Sequence, residues 1–247
     1  MPSTRLRSGA LVAWTSAWLA GDAASDDVLR ATVGDDARHQ VAGLSDGLAP
    51  LSEALITWRR RGGSVRLVLP VAGDVRGLPG PAQFRSCALD AGEVVIGGGL
   101  GLVPDIAERH PSSAPPTVTW HAHAIDEPPP DPLAVAEAQR ELTEAVRDAA
   151  SALAAADVAS WVDDVSDALA DARRAGERLN LPPRFPAPAV RLVAQAERLQ
   201  AVLDIAALDP TGGAIDRTGI AARSDALRSL ATAVRRARMA GYNAASI

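Results

Sequence analysis

Two short segments of this sequence carry residue types and spacings that could support chemistry. The first is a run of glycines that follows the apolar segment 94–96, namely Gly97, Gly98, Gly99 and Gly101. Glycines after a strand can turn backbone N–H groups toward a phosphate or a carboxylate, so the run is a candidate anion-binding turn. The competing interpretation is a plain turn from a strand into a helix over 102–110, with Pro104 in its first helical turn.

The second segment is 117–125, a predicted strand in which His121 and His123 stand two residues apart. Residues at this spacing in a strand point to one face, an arrangement that metal sites use. No second spaced motif supplies further ligands, so we interpret both histidines as polar residues on the exposed face of an edge strand and expect no metal ion. Both stay candidates for contact with a small ligand.

Two common signatures of catalysis and of cofactor binding are missing from the sequence, which contains no HExxH and no complete GxGxxG motif. All 25 basic residues are arginine, which excludes a Schiff-base lysine and a P-loop lysine. The lone Cys87 cannot form an internal disulfide. The sequence assigns no catalytic residue and no cofactor, and it leaves enzymatic activity undecided.

The composition indicates a globular chain with few large side chains. Of its 247 residues, 47% are hydrophobic but only 3% are aromatic, so the core must be built from small aliphatic residues in close packing. The exclusive use of arginine, with abundant Ala, Gly, Pro and Asp, is typical of the GC-rich coding of many actinobacteria. The net charge of −5 argues against non-specific binding of nucleic acid.

The N-terminus imitates a signal peptide, because Arg5 and Arg7 precede the mainly apolar segment 9–20. Leu11, Trp14 and Trp18 fall on one helical face, however, which favours a surface or core-edge helix. No apolar run reaches the roughly 18 residues that a membrane span needs. We therefore expect a cytoplasmic protein that does not insert into a membrane.

Residues 1–126 are predicted to form an α+β domain with a small, mainly antiparallel sheet and helices. Short helices are expected near 8–20, 26–33 and 48–61, and strands at 64–71, 83–89, 93–96 and 117–125. The strands 83–89 and 93–96 are separated by only three residues, which predicts a hairpin. The proline-rich segment 127–132 then acts as a stiff spacer and a domain boundary.

Residues 133–247 are predicted to form an all-α helical bundle, with helical segments at 133–156, 158–179, 188–208 and 217–241. Apolar residues recur along each segment at steps of three and four; the clearest stripe runs from Val158 to Leu179. No Gly or Pro occurs between 133 and 175, so a single long helix is the alternative to a hairpin at 133–179. The first two segments are acidic and the last two are basic, which favours pairing within one bundle.

Three functional hypotheses follow. The leading one is a cytoplasmic, non-catalytic interaction or scaffold protein that binds a protein partner, or associates with itself, through the helical bundle. The alternative is a domain that binds a small ligand or anion, or hydrolyses it, using the glycine turn with His121 and His123. A weaker alternative is a nucleic-acid regulator that uses Arg235, Arg236 and Arg238, although three arginines in a last turn also suit a helix C-terminus.

Overall fold

The computed structural model describes residues 6–107, 115–126, 133–155, 179–208 and 217–245. The chain divides into two compact units. The first comprises Met1–Pro132, Asn180–Phe185 and Tyr242–Ile247, and the second comprises Leu133–Leu179 and Pro186–Gly241. The chain therefore returns to the first unit twice after it has entered the second.

The first unit is an α+β structure. Among its described residues, the helices are α1 (Arg7–Leu19), α2 (Ser25–Val33), α3 (Leu51–Arg61) and α4 (Ala82–Ala91). The strands are β1 (Arg38–Ser45), β2 (Gly47–Pro50), β3 (Arg66–Val68), β4 (Val94–Gly97), β5 (Leu100–Ala107) and β6 (Thr117–Ala124). The helices expected near 8–20 and 26–33 and the strand expected at 117–125 are present.

The six strands form one mixed sheet in the order β2–β1–β6–β5–β4–β3. Four of the five neighbouring pairs are antiparallel, and β1 pairs with β6 in parallel. The expectation of a mainly antiparallel sheet therefore needs correction at this pair. Its two strands are separated by a long stretch of chain that contains the other strands, so no hairpin constrains their direction.

One predicted strand and one predicted helix were assigned to the wrong type. The segment 83–89 is not a hairpin strand but part of helix α4, in which Phe84 and Ala88 lie one turn apart and are buried. Gly92, with a φ of +70°, ends this helix in the left-handed conformation that glycine adopts at little cost. The segment 102–110 is not a helix over its described part, because β5 extends from Leu100 to Ala107.

Pro104 fits strand β5 because the neighbouring strand is short. Strand β4 pairs with β5 only as far as Leu102, whereas β6 pairs along the whole of β5. The missing N–H of Pro104 can therefore face the side on which β5 has no ladder partner. The helix expected near 48–61 begins later than predicted. Pro50 ends β2 in extended backbone, so α3 starts at Leu51.

Helix α1 is a core element rather than a surface helix, and Leu11, Val12 and Ala13 are fully buried. A buried polar network joins its first residue to the sheet. Arg7 donates to both carboxylate oxygens of Asp36 at 2.8 Å, and His39 Nε2 lies 2.9 Å from the same carboxylate. Trp120 Nε1 donates to His39 Nδ1 at 3.1 Å. Because indole nitrogen only donates, His39 accepts at Nδ1 and donates to Asp36 from Nε2.

The pKa of Asp36 is lowered from its ordinary value of 3.8. Burial alone would raise this pKa, but hydrogen bonds from Arg7 and His39 favour the ionised form and outweigh it. Asp36 therefore contributes stability at pH values above 3.8, and this contribution is lost as the pH falls through its lowered folded-state pKa. At the same end of α1, the buried Glu93 carboxylate accepts the backbone N–H of Ser8 at 2.8 Å, which satisfies one orphan helix donor.

The second unit is helical in its described residues, which comprise α5 (Val135–Ala155), α6 (Ala187–Leu208) and most of α7 (Arg217–Tyr242). All three helices contribute to one hydrophobic cluster. Its buried members include residues of the predicted stripes: Leu142, Ala149, Leu192, Ala196, Leu203, Leu230, Val234 and Ala237. The predicted stripe from Val158 to Leu179 lies outside the described residues except at its last member. The alternatives of a single helix or a hairpin over 133–179 also concern residues outside the described ranges.

Ion pairs link α7 to both of its neighbours. Arg236 lies 3.1 Å from Glu141 of α5, and Arg238 donates from Nε and Nη2 to the carboxylate of Glu197 on α6. These contacts agree with the predicted pairing of acidic and basic segments in part, since Glu197 belongs to a segment counted as basic. Of the helices in the described ranges, none is long and apolar enough to cross a membrane.

We predict that Leu142→Ala lowers the free energy of unfolding by about 2–5 kcal/mol, because it removes a fully buried side chain and leaves a cavity. Arg140→Ala, an exposed change one half-turn away on the same helix, should cost less than about 1 kcal/mol. Denaturant unfolding of the two variants measures both effects. Equal, small losses would show that the cluster does not stabilise the chain.

Candidate functional site

The glycine run forms a hairpin turn between β4 and β5. Gly98 and Gly99 have φ values of +54° and +70°, as a two-residue primed turn requires. The carbonyl oxygen of Gly98 accepts Arg61 Nη1 at 3.2 Å, and that of Gly99 accepts the N–H of Ile125 at 3.1 Å. The expected turn from a strand into a helix is therefore wrong, because strands lie on both sides of the turn.

The two outer glycines permit close contacts within the first unit. A Cβ atom on Gly97 would lie 2.7 Å from the carbonyl oxygen of Ser64, and one on Gly101 would lie 2.5 Å from Phe84. Both distances are too short for a real side chain. Packing around the sheet therefore accounts for glycine at these two positions.

His121 and His123 lie on one face of β6, as their spacing predicts. Strand β6 is internal, between β1 and β5, so the expectation of an edge strand is wrong. His123 stands opposite Gly101 in the ladder, and its ring centroid lies 5.3 Å from that of Phe84. Thus the glycine run and His123 meet at Phe84, and His121 is further from the turn along the strand.

The environment of His123 disfavours its charged form. Burial lowers its pKa from the ordinary value of 6.5, and the nearby His121 lowers it further. Among the described residues, the buried Nε2 atom of His123 has no hydrogen-bond partner. His121 is more exposed, and its Nε2 lies 3.6 Å from Asp105 Oδ2. In the part of the chain that the structure describes, no group of three acidic, histidine or cysteine side chains could hold a metal ion.

The ladder aligns further residues with the histidines on the same side of the sheet. Two rows cross β2, β1, β6 and β5 in register. One row is Leu48, Ala42, His121 and Val103, and the other is Pro50, Gln40, Thr119 and Asp105. We name the seven residues of these rows other than Val103 the open face.

The open face exists because one helix covers only half of this side of the sheet. Helix α4 packs Phe84 and Ala88 into a cluster with Val103 and with residues of β3 and β4. Beyond Val103, side chains stay accessible: Leu48 is 61% exposed, and the side chains of Asp105 and His121 are 68% and 47% exposed. On the opposite side of the sheet, α1 and α3 pack against the strands.

The open face combines hydrogen-bonding groups with one large apolar side chain. Gln40 Nε2 donates to Thr119 Oγ1 at 3.1 Å, which leaves other donors and acceptors of both side chains available. Sequence reasoning identified the histidines from their spacing but missed Gln40 and Leu48, since it did not predict β1 or β2. The available signal was the period of two in β1, in which His39 and Val41 are buried and Gln40 between them is not.

The arginines near the C-terminus that were considered from the sequence take part in contacts within the chain, and so do two arginines at the end of α3. Arg59 lies over the Trp18 ring at 4.5 Å, and Arg61 binds the glycine turn. Arg236 and Arg238 pair with glutamates of the second unit, and Arg235 is buried. Arg59 and Arg61 lie in the last turn of α3, where cations are favoured. Helix α7 extends to Tyr242 and has no basic residue in its last turn, so the expectation of three arginines at a helix C-terminus is wrong.

Comparison with known proteins gives matches over nearly the whole chain. Residues 8–135 match the model of the Rv1486c-like protein, N-terminal domain, and residues 136–239 match that of the Rv1486c-like protein, C-terminal domain. The chain belongs to the Rv1486c-like family. The change from one model to the other falls just after the proline-rich segment.

Mycobacterial proteins are similar to the chain over nearly its whole length. An uncharacterised protein of Mycobacterium tuberculosis H37Rv is 32% identical, and one of Mycobacterium leprae is 28% identical; each match covers 96% of both chains. Mycobacteria are actinobacteria, the group that the composition indicates. No solved structure matches the chain.

We predict that His123 titrates below pH 6.5, because its burial beside Phe84 disfavours the imidazolium. Two-dimensional NMR of the imidazole signals measures the titration, and the loss of one signal in His123→Gln assigns it. Since the folded-state pKa is the lower one, His123 should make the chain less stable as the pH falls from 6.5 toward that value. His121→Gln should raise the pKa of His123 part of the way toward 6.5, because it removes the nearby imidazole. Titration of His123 at or above pH 6.5 in the native chain would contradict the described environment.

Proposed function

We propose that the chain is a non-catalytic interaction or scaffold protein of the bacterial cytoplasm, and that a protein partner binds the open face. The observation that carries this proposal is the pair of in-register rows across four strands, with exposed side chains on a sheet that is packed on its other side. Such a framework fixes the backbone positions of these residues before binding, so the ordering cost at binding is limited to their side chains.

The chemistry of the open face suits a protein surface. Leu48 offers an apolar contact at the β2 end, while Gln40, Thr119, His121 and Asp105 offer donors and acceptors beside it. Interfaces combine an apolar contact that loses water with polar groups that set register and specificity. We infer a partner with an apolar side chain for Leu48 and with polar groups opposite His121 and Asp105.

The same proposal divides the chain into a domain 1–126, a spacer 127–132 and a domain 133–247. The last of these is proposed to be an all-α bundle. The change of family model between 135 and 136 supports this division. The segment Tyr242–Ile247 is an exception to this division by sequence, because it belongs to the first compact unit. Since the described stripe residues are buried in the bundle, a partner or second copy bound there would contact outward-facing residues such as Ile220.

A second candidate is a small-ligand-binding or hydrolytic first unit, and one observation favours it. His121, His123 and Asp105 share the face on which Gly101 lies, so a polar ligand could contact several of them. A rise in melting temperature with phosphate or a carboxylate, lost in His123→Ala, would support this candidate instead.

The interaction proposal predicts that Leu48→Arg weakens partner binding about tenfold or more, because it places a charge where an apolar contact is lost. Tagged chains purified from the source bacterium after mild cross-linking, with quantitative mass spectrometry, identify the partner. The purified pair then gives the affinity. Ile220→Arg is the matched control, since it changes another exposed apolar residue to arginine in the second unit.

The two variants separate the surfaces. Loss in Leu48→Arg with retention in Ile220→Arg supports the open face. Loss in Ile220→Arg alone would move the interaction to the helical unit. Equal affinity of native chain and Leu48→Arg would contradict the open face as the binding surface, provided that circular dichroism shows both chains folded.

A further inference from the structure

The outer edge of the sheet at β3 is closed by a side chain from the end of the chain. Strand β3 is the last strand of the sheet among the described residues, and within them one of its edges has no neighbouring strand. Asn243 lies on that edge, immediately after α7. The backbone N–H of Leu67 donates to Asn243 Oδ1 at 2.7 Å, and Asn243 Nδ2 donates to the carbonyl oxygen of Leu67 at 3.0 Å.

This pair of hydrogen bonds reproduces the pairing of an antiparallel strand. In a hydrogen-bonded pair of an antiparallel ladder, two opposed residues each donate one N–H and accept at one C=O. The primary amide of Asn243 supplies the same donor and acceptor from one side chain. It therefore occupies the groups of Leu67 that an added strand would use.

A glycine on α1 keeps Asn243 in place. Tyr242 is buried, and a Cβ atom on Gly9 would lie only 2.8 Å from its ring. The absence of a side chain at Gly9 thus lets the Tyr242 ring lie against α1, and the next residue reaches β3. Tyr242 and Asn243 belong to the first unit together with α1 and β3.

The other edge of the sheet is protected differently. Strand β2 ends at Pro50 and pairs with a strand whose register shifts between Ala42 and Ser45. Proline and an irregular register both discourage the addition of a strand. At β3, among the described residues, Asn243 contributes an equivalent protection by hydrogen bonding.

We propose that Asn243 is a plug on a strand-addition edge, and that β3 pairs with β3 of a second copy of this chain when the plug is withdrawn. An antiparallel pair around a two-fold axis is self-complementary. With Leu67 on the axis, the N–H of Leu67 in each copy donates to the C=O of Leu67 in the other copy. Arg66 then stands opposite Val68 of the second copy, so the pairing places no like charges directly opposite each other.

Asn243→Asp tests the plug with little change in size. The carboxylate lacks the N–H donor and places an oxygen against the carbonyl of Leu67, so the plug should open. Sedimentation equilibrium of the full chain should then show a dimerisation step at least about tenfold stronger than in the native chain. Gly9→Ala should act in the same direction, because it displaces Tyr242 without removing the amide.

Hydrogen exchange at the Leu67 amide shows whether β3 is the surface used. In Asn243→Asp, this amide should exchange faster than in the native chain at low protein concentration and regain protection at high concentration. Gln200→Ala is the control, because it removes a side-chain amide that binds Asp204 in the other unit. It should leave both association and Leu67 exchange unchanged.

Two results would overturn the proposal. One is a folded Asn243→Asp chain that associates no more strongly than the native chain. The other is association without protection of the Leu67 amide, which would place the contact elsewhere. If Asn243→Asp does not fold, the same two readouts on Gly9→Ala decide between the proposal and its rejection.

Discussion

The carboxylate of Asp36 fastens helix α1 to one side of the sheet. It accepts two hydrogen bonds from Arg7 and lies within hydrogen-bond distance of His39, which in turn accepts the indole N–H of Trp120. These groups are buried, so each depends on the others to replace the water it has lost. A charge left alone at this depth would be strongly destabilising, and the position of α1 follows from that constraint.

The fastening of α1 makes the two sides of the sheet unequal. One side packs against α1 and α3, and its backbone is held by a core that includes Trp58 and Trp120. On the other side, α4 covers β3, β4 and the part of β5 that includes Val103, and the open face stays accessible. A rigid sheet with one accessible half is a framework for binding, and this is the physical basis of the proposed function.

Local patterns in the sequence were sufficient to predict α1 and β6. The helical spacing of Leu11, Trp14 and Trp18 predicted α1, although the helix is buried on nearly all sides, and the segment 117–125 was predicted as the strand that forms β6. Strand β1 was missed because Gly43 and several polar residues interrupt its alternation, and α4 was mistaken for a strand although Phe84 and Ala88 have helical spacing. Pro104 suggested a helix start because nothing local shows that β4 ends before it.

The candidate site was predictable only in part for the same reason. His121 and His123 share a face by strand geometry alone, but Gln40 and Leu48 join them through the pairing of β6 with β1 and of β1 with β2. The glycines were recognised as a turn, while the need for glycine at 101 depends on Phe84 from a distant helix. The contacts of Asp36 with Arg7 and of Asn243 with Leu67 span long sequence separations, and no local pattern encodes them.

A double-mutant cycle on Arg7 and Asp36 tests most directly whether this network fastens α1 to the sheet. Denaturant unfolding at pH 7 gives the free energies for Arg7→Met, Asp36→Asn and the double variant. The account predicts that each single change is strongly destabilising, by about 3–5 kcal/mol, and that the double variant loses at least about 1 kcal/mol less than the sum of the two. Losses that add within about 0.5 kcal/mol would show that the two groups act independently, and would contradict the network as the constraint on α1.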